Sequence, residues 1–240
     1  MHTVEYSHLK PEQGQIWLDL GCGEGRHCIG ACNQQLPMTV IGVDLGFQDL
    51  IKAQEKWRET NDFHQQIGLP ELEPSHWLNA NGSQLPFADN SIDVIICSEV
   101  LEHIHDYLSV LKEIRRILKP NGRLAISIPR RWPEWICWQL AEEYAQVKGG
   151  HVRIFNHITL VREIRELGFD HYRSHGAHAL HAPYWWLKCA FWHQPDQPIV
   201  KKYHDFLVWD LMEKPKLTRT LEKFLNPWMG KSSVYYFTAS

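Results

Sequence analysis

The sequence predicts an α/β fold built on a parallel sheet with crossover helices, and three observations carry that reading. Over the first 130 residues short apolar or β-branched runs alternate with longer helical patterns. The first of these runs opens straight into a glycine-rich turn, and the second ends on an acid. Taken in order, Ile16–Asp19 reads as a strand, followed by the turn Leu20-Gly21-Cys22-Gly23-Glu24-Gly25 and a helix from about Gly25 to Cys32. A strand at Thr39–Asp44 leads to a helix from about Gln48 to Glu59, and His76–Asn79 and Ile92–Cys97 give two more strands. In Asp106–Leu118 the residues Leu108, Leu111, Ile114 and Leu118 form an apolar helical stripe. Lys119-Pro120-Asn121-Gly122 then stops that helix and turns into a strand at Arg123–Ile128. Residues 157–168 resume the helical period and end on Gly168, suited to a left-handed C-terminal cap before a strand near His171–His175. Ser233–Thr238 alternates as a last strand.

Composition places the 240 residues in one soluble domain, with 44% hydrophobic and 22% charged side chains. A chain of this size builds a core without disulfides or a structural metal. The formal charge of −3 disfavours a general nucleic-acid binder, because there is no excess of positive charge to condense on phosphates. The opening MHTVEYSHLKPEQ has no basic segment followed by an apolar one, so a cytoplasmic location is expected. None of the six cysteines forms a C-x-x-C pair, and they read as buried thiols. Two stretches stand outside the regular alternation, 130–150 and 178–230, and eight of the 11 tryptophans lie after residue 130. These are read as insertions that form a helical, aromatic-rich lid or acceptor-binding cover.

The chemistry is carried by the turn. A strand, a glycine-rich turn and a helix make a nucleotide-type site, where a Cβ would keep the backbone from the ligand. The spacing is G-x-G-x-G, and Arg26 stands where a dinucleotide fingerprint needs glycine, which shifts weight away from NAD and FAD. Asp44 falls 19 residues after Gly25, close to the offset at which a carboxylate meets a ribose diol. A tight turn and a helix cap would account for either feature alone, but not for both in their strand contexts.

These residues resemble the class I S-adenosylmethionine-dependent methyltransferases, and most closely the small-molecule branch called type 11. The likeness lies in Asp19-Leu20-Gly21-Cys22-Gly23-Glu24-Gly25, Gly42-Val43-Asp44, Leu85-Pro86-Phe87 through Ile95, Glu99-Val100-Leu101-Glu102-His103-Ile104 and Leu118-Lys119-Pro120-Asn121-Gly122-Arg123-Leu124, over about residues 12–175. It implies a Rossmann-like, seven-stranded methyltransferase sheet with helices on both faces. It further implies that the backbone of Gly21, Cys22, Gly23 and Gly25 cradles the methionine part of S-adenosylmethionine, with Asp19 near its ammonium. Asp44 would hold the ribose and Leu45 would lie against the adenine. Asn81 stands where the family has an acid for the adenine amino group, followed by Gly82 for a ring nitrogen, and Ser98 would face the sulfonium. The product would be S-adenosylhomocysteine.

Methyl transfer from a sulfonium is an in-line displacement, so alignment and exclusion of water are the main tasks, and a base is needed only when the acceptor holds its proton tightly. His151 and His103 are the candidate bases, although each could equally be a structural hydrogen-bonding residue. A metal is not expected: the run His171, His175, His178, His181 would need one regular helix, and residues 171–175 read as strand. The expected acceptor is a small, lipophilic or aromatic molecule. The aromatic patch Ala182–Trp192 would close over it, pack as core, or rest on a membrane surface as a peripheral contact. Nucleic acid is an unlikely partner, since Cys97-Ser98-Glu99-Val100 replaces the D/N/S-P-P-aromatic motif. A nucleoside or tRNA methyltransferase would need a basic surface around Arg130, Arg131, Arg153 and Lys148. The third alternative is a cofactor-binding regulatory subunit without turnover.

Overall fold

The structure, a computed structural model, describes residues 2–147, 149–194 and 196–240. Seven strands form one sheet in the order β3-β2-β1-β4-β5-β7-β6. They are β1 (Ile16–Leu20), β2 (Thr39–Asp44), β3 (Ser75–Asn79), β4 (Ile92–Ser98), β5 (Leu118–Pro129), β6 (Phe169–Ala177) and β7 (Ser232–Ala239). The first five are parallel, and β7 runs antiparallel between β5 and β6. Each predicted strand is present within a few residues of its expected ends.

The period of two in the strands divides their side chains between the two faces. Leu18, Leu20, Ile95, Cys97, Leu124, Ile126, Tyr235 and Phe237 join one core with the apolar faces of α3 (Tyr107–Ile117) and α6 (His157–Glu166). Trp17, Val40, Val94, Ile96, Ala125 and Tyr236 belong to the other, with α1 (Arg26–Cys32), residues of α2 (Phe47–Gln66) and the N-terminal segment through Leu9. Helices start where side chains replace missing backbone partners: the Asp106 carboxylate accepts from the Ser109 N–H, and Asn156 from the Ile158 N–H. Gly168 ends α6 at φ +86°, as its sequence position predicts.

Two boundaries differ from the reading of the sequence. Helix α2 continues past Glu59 to Gln66, through a polar stretch in which His64 is the buried residue. The Lys119–Gly122 turn lies inside β5, because Leu118 already pairs with Ile92, the register shifts across the turn, and the ladder resumes at Arg123 and Val94.

The two irregular stretches are helical. Residues 130–150 carry α4 (Arg131–Leu140) and α5 (Glu142–Gln146), and the later insertion carries α7 (His181–Ala190), α8 (Pro198–Glu213) and α9 (Lys216–Met229). A third, smaller core lies between α4, α5 and α7, where Cys137, Tyr144 and Cys189 pack with Trp138, Trp185, Trp186 and Trp192. All six cysteines are buried as free thiols. Among the described residues no helix is long and apolar enough to cross a membrane.

Candidate functional site

Where β1 and β4 separate at their carboxyl ends, the switch point of the sheet opens into a cleft of about 480 Å³. Its walls include Leu20, Gly21, Asp44, Leu45, Asn81, Gly82, Glu99 and His103. The turn after β1 is tied to β2, since the N–H groups of Gly21 and Cys22 both donate to the Val43 carbonyl, at 2.7 and 3.0 Å. At Gly23, φ is +50° and nothing lies within 4 Å of where a Cβ would stand, so the backbone faces open space. At Gly25 a Cβ would meet the Trp77 ring at 2.8 Å, which makes that glycine a packing requirement.

Asp44 is held by the turn. Its Oδ2 accepts from the Gly23 N–H at 2.8 Å and its Oδ1 from the Gly46 N–H at 2.7 Å, which fixes the carboxylate and leaves a lone pair on each oxygen. Leu45 beside it is 74% exposed on the cleft wall. The Cys22 thiol points away, buried with the second core and donating to the Gly23 carbonyl, so only its backbone can serve a ligand. Asp19 is buried behind the turn, where the Cys28 thiol donates to it at 3.6 Å, and burial pushes its carboxyl up to about 7.

Two of the expected contact residues have hydrogen-bond partners within the fold. The Asn81 side-chain oxygen accepts from both the N–H and the hydroxyl of Ser83, at 3.0 Å each, so its acceptor capacity is already used in a local turn. Asn81 and Gly82 still line the cleft. Ser98 does not line it; its buried hydroxyl bonds to Ser127 at 2.8 Å and to His27 Nε2 at 3.2 Å. Burial beside Arg26 holds His27 well below the ordinary imidazole range. The position facing the cleft is Glu99, at φ +59°, whose Oε1 accepts from the Ser127 hydroxyl at 2.8 Å. An acid placed directly after the carboxyl end of a central strand was the signal available for Glu99.

Glu99 also walls a second cavity of about 350 Å³, lined with Thr3, Arg26, His151, His178, His181, Lys231 and Ser232. The cleft and this cavity therefore meet at one side chain. His151 is oriented by a residue that sequence reasoning missed: its Nδ1–H donates to Oε1 of the buried Glu134 at 2.5 Å. The same carboxylate accepts from the Trp138 indole N–H and the Tyr144 hydroxyl. Burial alone would push Glu134 up, but the hydrogen bond and charge of His151 outweigh it and hold the carboxyl below its usual range. With Nδ1 engaged, Nε2 is the ring nitrogen left to a ligand, and in the neutral ring it carries the lone pair. His103 lies on the cleft side, its ring 4.9 Å from that of His151 and its Nδ1–H donating to the Gly150 carbonyl at 3.1 Å. The structure thus brings both predicted histidines to the junction.

The histidine run is divided. His171 and His175 lie in β6 against Phe237 and Tyr236, while His178 occupies a left-handed turn and His181 begins α7. His178 and His181 come within ligand distance of Glu222, but the Arg219 guanidinium pairs with that carboxylate at 3.0 Å. The aromatic patch belongs to the small core: Tyr144 packs on Trp185, and the Trp186 indole donates to the Pro133 carbonyl. Neither tryptophan lines the cleft or the polar cavity. Two of the residues named for a basic surface are also engaged, while Arg131 is exposed. The Arg130 guanidinium donates to the carbonyls of Asn226, Pro227 and Trp228 at the end of α9, and Arg153 donates to the His105 carbonyl and covers the Tyr107 ring. Lys148 lies outside the described residues.

A demethylmenaquinone methyltransferase of Lactobacillus johnsonii is 34% identical over 122 residues, which is 50% of this chain and 46% of that protein. The chain spans less than half the length of the curated relatives heading the comparison. Phosphoethanolamine N-methyltransferase 2 of Haemonchus contortus, solved with phosphomonomethylethanolamine and S-adenosylhomocysteine, superposes with a TM-score of 0.60 at 18% identity, over 98% of this chain and 50% of that one. The cyclase SpnF superposes with a TM-score of 0.59 at 16% identity, over 97% and 78%. Neighbours this distant establish the fold and leave the reaction to be argued from the site. The open backbone at Gly23, the anchored Asp44 carboxylate and the exposed Leu45 come together at the cleft, as the resemblance read from the sequence expects. With a family model described as a methyltransferase domain matching residues 2–173, the chain belongs to the class I S-adenosylmethionine-dependent methyltransferases.

Proposed function

We propose that this chain methylates a hydroxyl or amine of a small molecule held in the polar cavity beside the cleft. The observation that carries the reading is the shared wall: Glu99 borders both spaces, and the His151–Glu134 pair stands at the junction. S-adenosylmethionine, when bound, supplies a methyl group on a positively charged sulfur that leaves as a neutral thioether. The turn Gly21–Gly25 and Asp44 would hold it, with Leu45 placed for its base and the buried Asp19 for its amino acid end. Arg26 and Lys231 set a positive potential in the cavity, and His178 and His181 offer neutral ring nitrogens to the acceptor. His151 takes the acceptor's proton on Nε2 as the new bond forms, and Glu134 stabilises the imidazolium that results.

The lipophilic or aromatic acceptor expected from the sequence keeps support from the printed name of the Lactobacillus johnsonii relative. The polar cavity adds a condition, that the reacting end of such an acceptor carries a protic group. The test is production of S-adenosylhomocysteine by the purified chain incubated with a fractionated cell extract, followed by mass spectrometry for a 14 Da gain. Glu134→Gln should lower turnover by about 100-fold and shift the pH profile while the affinity for S-adenosylhomocysteine holds. Equal turnover in Glu134→Gln and the parent chain would remove His151 as base, and activity lost after nuclease treatment of the extract would restore the tRNA reading.

A further inference from the structure

Helix α9 turns Leu217, Leu221, Phe224 and Trp228 outward, at 80, 44, 70 and 73% exposure. Steps of four, three and four residues put them on one face, in a stripe about 16 Å long at the helical rise. The fold does not use this face, since α9 buries Thr218 and Glu222 on another side. Exposed Lys216 and Lys223 lie on α9 to one side of the stripe, and the exposed pair Glu213 and Lys214 precedes the helix. The single acid of α9, Glu222, is buried and paired with Arg219, so the exposed face of the helix carries no carboxylate. At the far end the Trp132 indole donates to the Trp228 carbonyl at 3.0 Å, which brings the exposed Arg131, Trp132 and Trp135 beside the stripe. Those three residues also line a cavity of about 640 Å³.

We propose that this face docks on a bilayer surface containing anionic lipid, with the stripe at the boundary between headgroups and acyl chains and the lysines against lipid phosphates. Apolar side chains ending in an indole, on a helix whose exposed charges are of one sign, match that boundary, where an aromatic ring is half in hydrocarbon and its N–H is wet. A second copy of the chain fits less well, because a two-fold interface on this patch would set lysine against lysine. The docking is independent of the acceptor's identity.

Flotation of the purified chain with vesicles of phosphatidylglycerol and phosphatidylcholine tests it against vesicles of phosphatidylcholine alone. Lys216, Lys223 and Arg131 near the surface should make binding to the anionic vesicles about 100-fold stronger. Leu217→Ser combined with Phe224→Ser should lower that binding about 30-fold and leave the melting temperature and the affinity for S-adenosylhomocysteine unchanged. The proposal fails if the parent chain does not float with anionic vesicles, or if the double variant floats equally well. It also fails if the parent chain is a dimer in solution that the double variant dissociates, since a second copy would then cover the stripe.

Discussion

Replacing Asp19 by Asn isolates the cost of keeping a carboxyl behind the glycine turn. Asp19 is 3% exposed, has a thiol as its side-chain hydrogen-bond donor, and is pushed from 3.8 to about 7 in the folded chain. Between those values the folded state keeps the proton and the unfolded state has lost it, so stability falls as pH rises from about 4 to 7 and levels off above. A displacement of about three pH units corresponds to about 4 kcal/mol. Asn does not titrate, so Asp19→Asn removes that slope, and the variant should gain about 4 kcal/mol on the parent chain between pH 4 and pH 8. For a chain of this length that is about 8–16 °C in melting temperature. The assay is thermal or urea unfolding of both proteins at several pH values without cofactor. An ammonium brought near Asp19 favours the ionised form, so the parent chain should bind S-adenosylhomocysteine more tightly as pH rises towards 7, and the variant should lose both the affinity and its pH dependence. Parallel stability curves for the two proteins would refute the reasoning, because Asp19 would then be ionised in the free chain.

Asp44→Ala should weaken binding of S-adenosylhomocysteine by about 1.5–3 kcal/mol in calorimetry, and unchanged affinity would remove Asp44 from the ribose. Gly23→Val, with its side chain in the open space above the turn, should abolish that binding while the protein still folds, as circular dichroism would show; retained affinity would place the cofactor elsewhere. The double variant Trp185→Ala, Trp186→Ala should cost about 4 kcal/mol, because both rings pack in the small core between α4 and α7. A melting temperature that stays put would mean these rings support a ligand instead.

The sheet was legible because its strands alternate cleanly or run apolar, and Trp17, Val94 and Ile96 fall on the face opposite Leu18, Ile95 and Cys97 as a period of two requires. The end of α2 was not, because Thr60–Gln66 offers little apolar pattern to follow. Gly21, Gly23 and Asp44 could be read from sequence since their work is done by backbone conformation and by a carboxylate at a strand end, both local properties. The partners of Ser98 and of the Asn81 amide oxygen were not legible, for the opposite reason. A hydroxyl beside β4 is claimed by Ser127 from the neighbouring strand and by His27 from α1, and an amide oxygen by Ser83 two residues on. Glu134 was invisible because it meets His151 through the folding of α4 against the loop that follows α5, and nothing in a spacing of 17 residues announces a pair. The aromatic patch read as one feature, whereas the structure packs its half-buried tryptophans with Trp138 in the small core and exposes Trp132, Trp135 and Trp228.

The long insertion leaves the sheet at Ala177 and returns at Ser232, and these two residues are direct partners on the β6–β7 ladder. Residues 178–231 therefore begin and end on a single rung, as the loop of a hairpin does. The base of that loop is closed tightly: a Cβ on Gly230 would stand 2.8 Å from the Ala177 nitrogen, one on Gly176 would stand 2.0 Å from the Asn226 carbonyl oxygen, and the Arg130 N–H donates to the Lys231 carbonyl at 2.7 Å. Three helices can thus be lengthened, shortened or exchanged without altering the path of any strand or the turn at Gly23. In evolutionary terms the insertion is a module joined to the sheet at a single rung, and its length can vary while the pairing of β6 with β7 stays fixed.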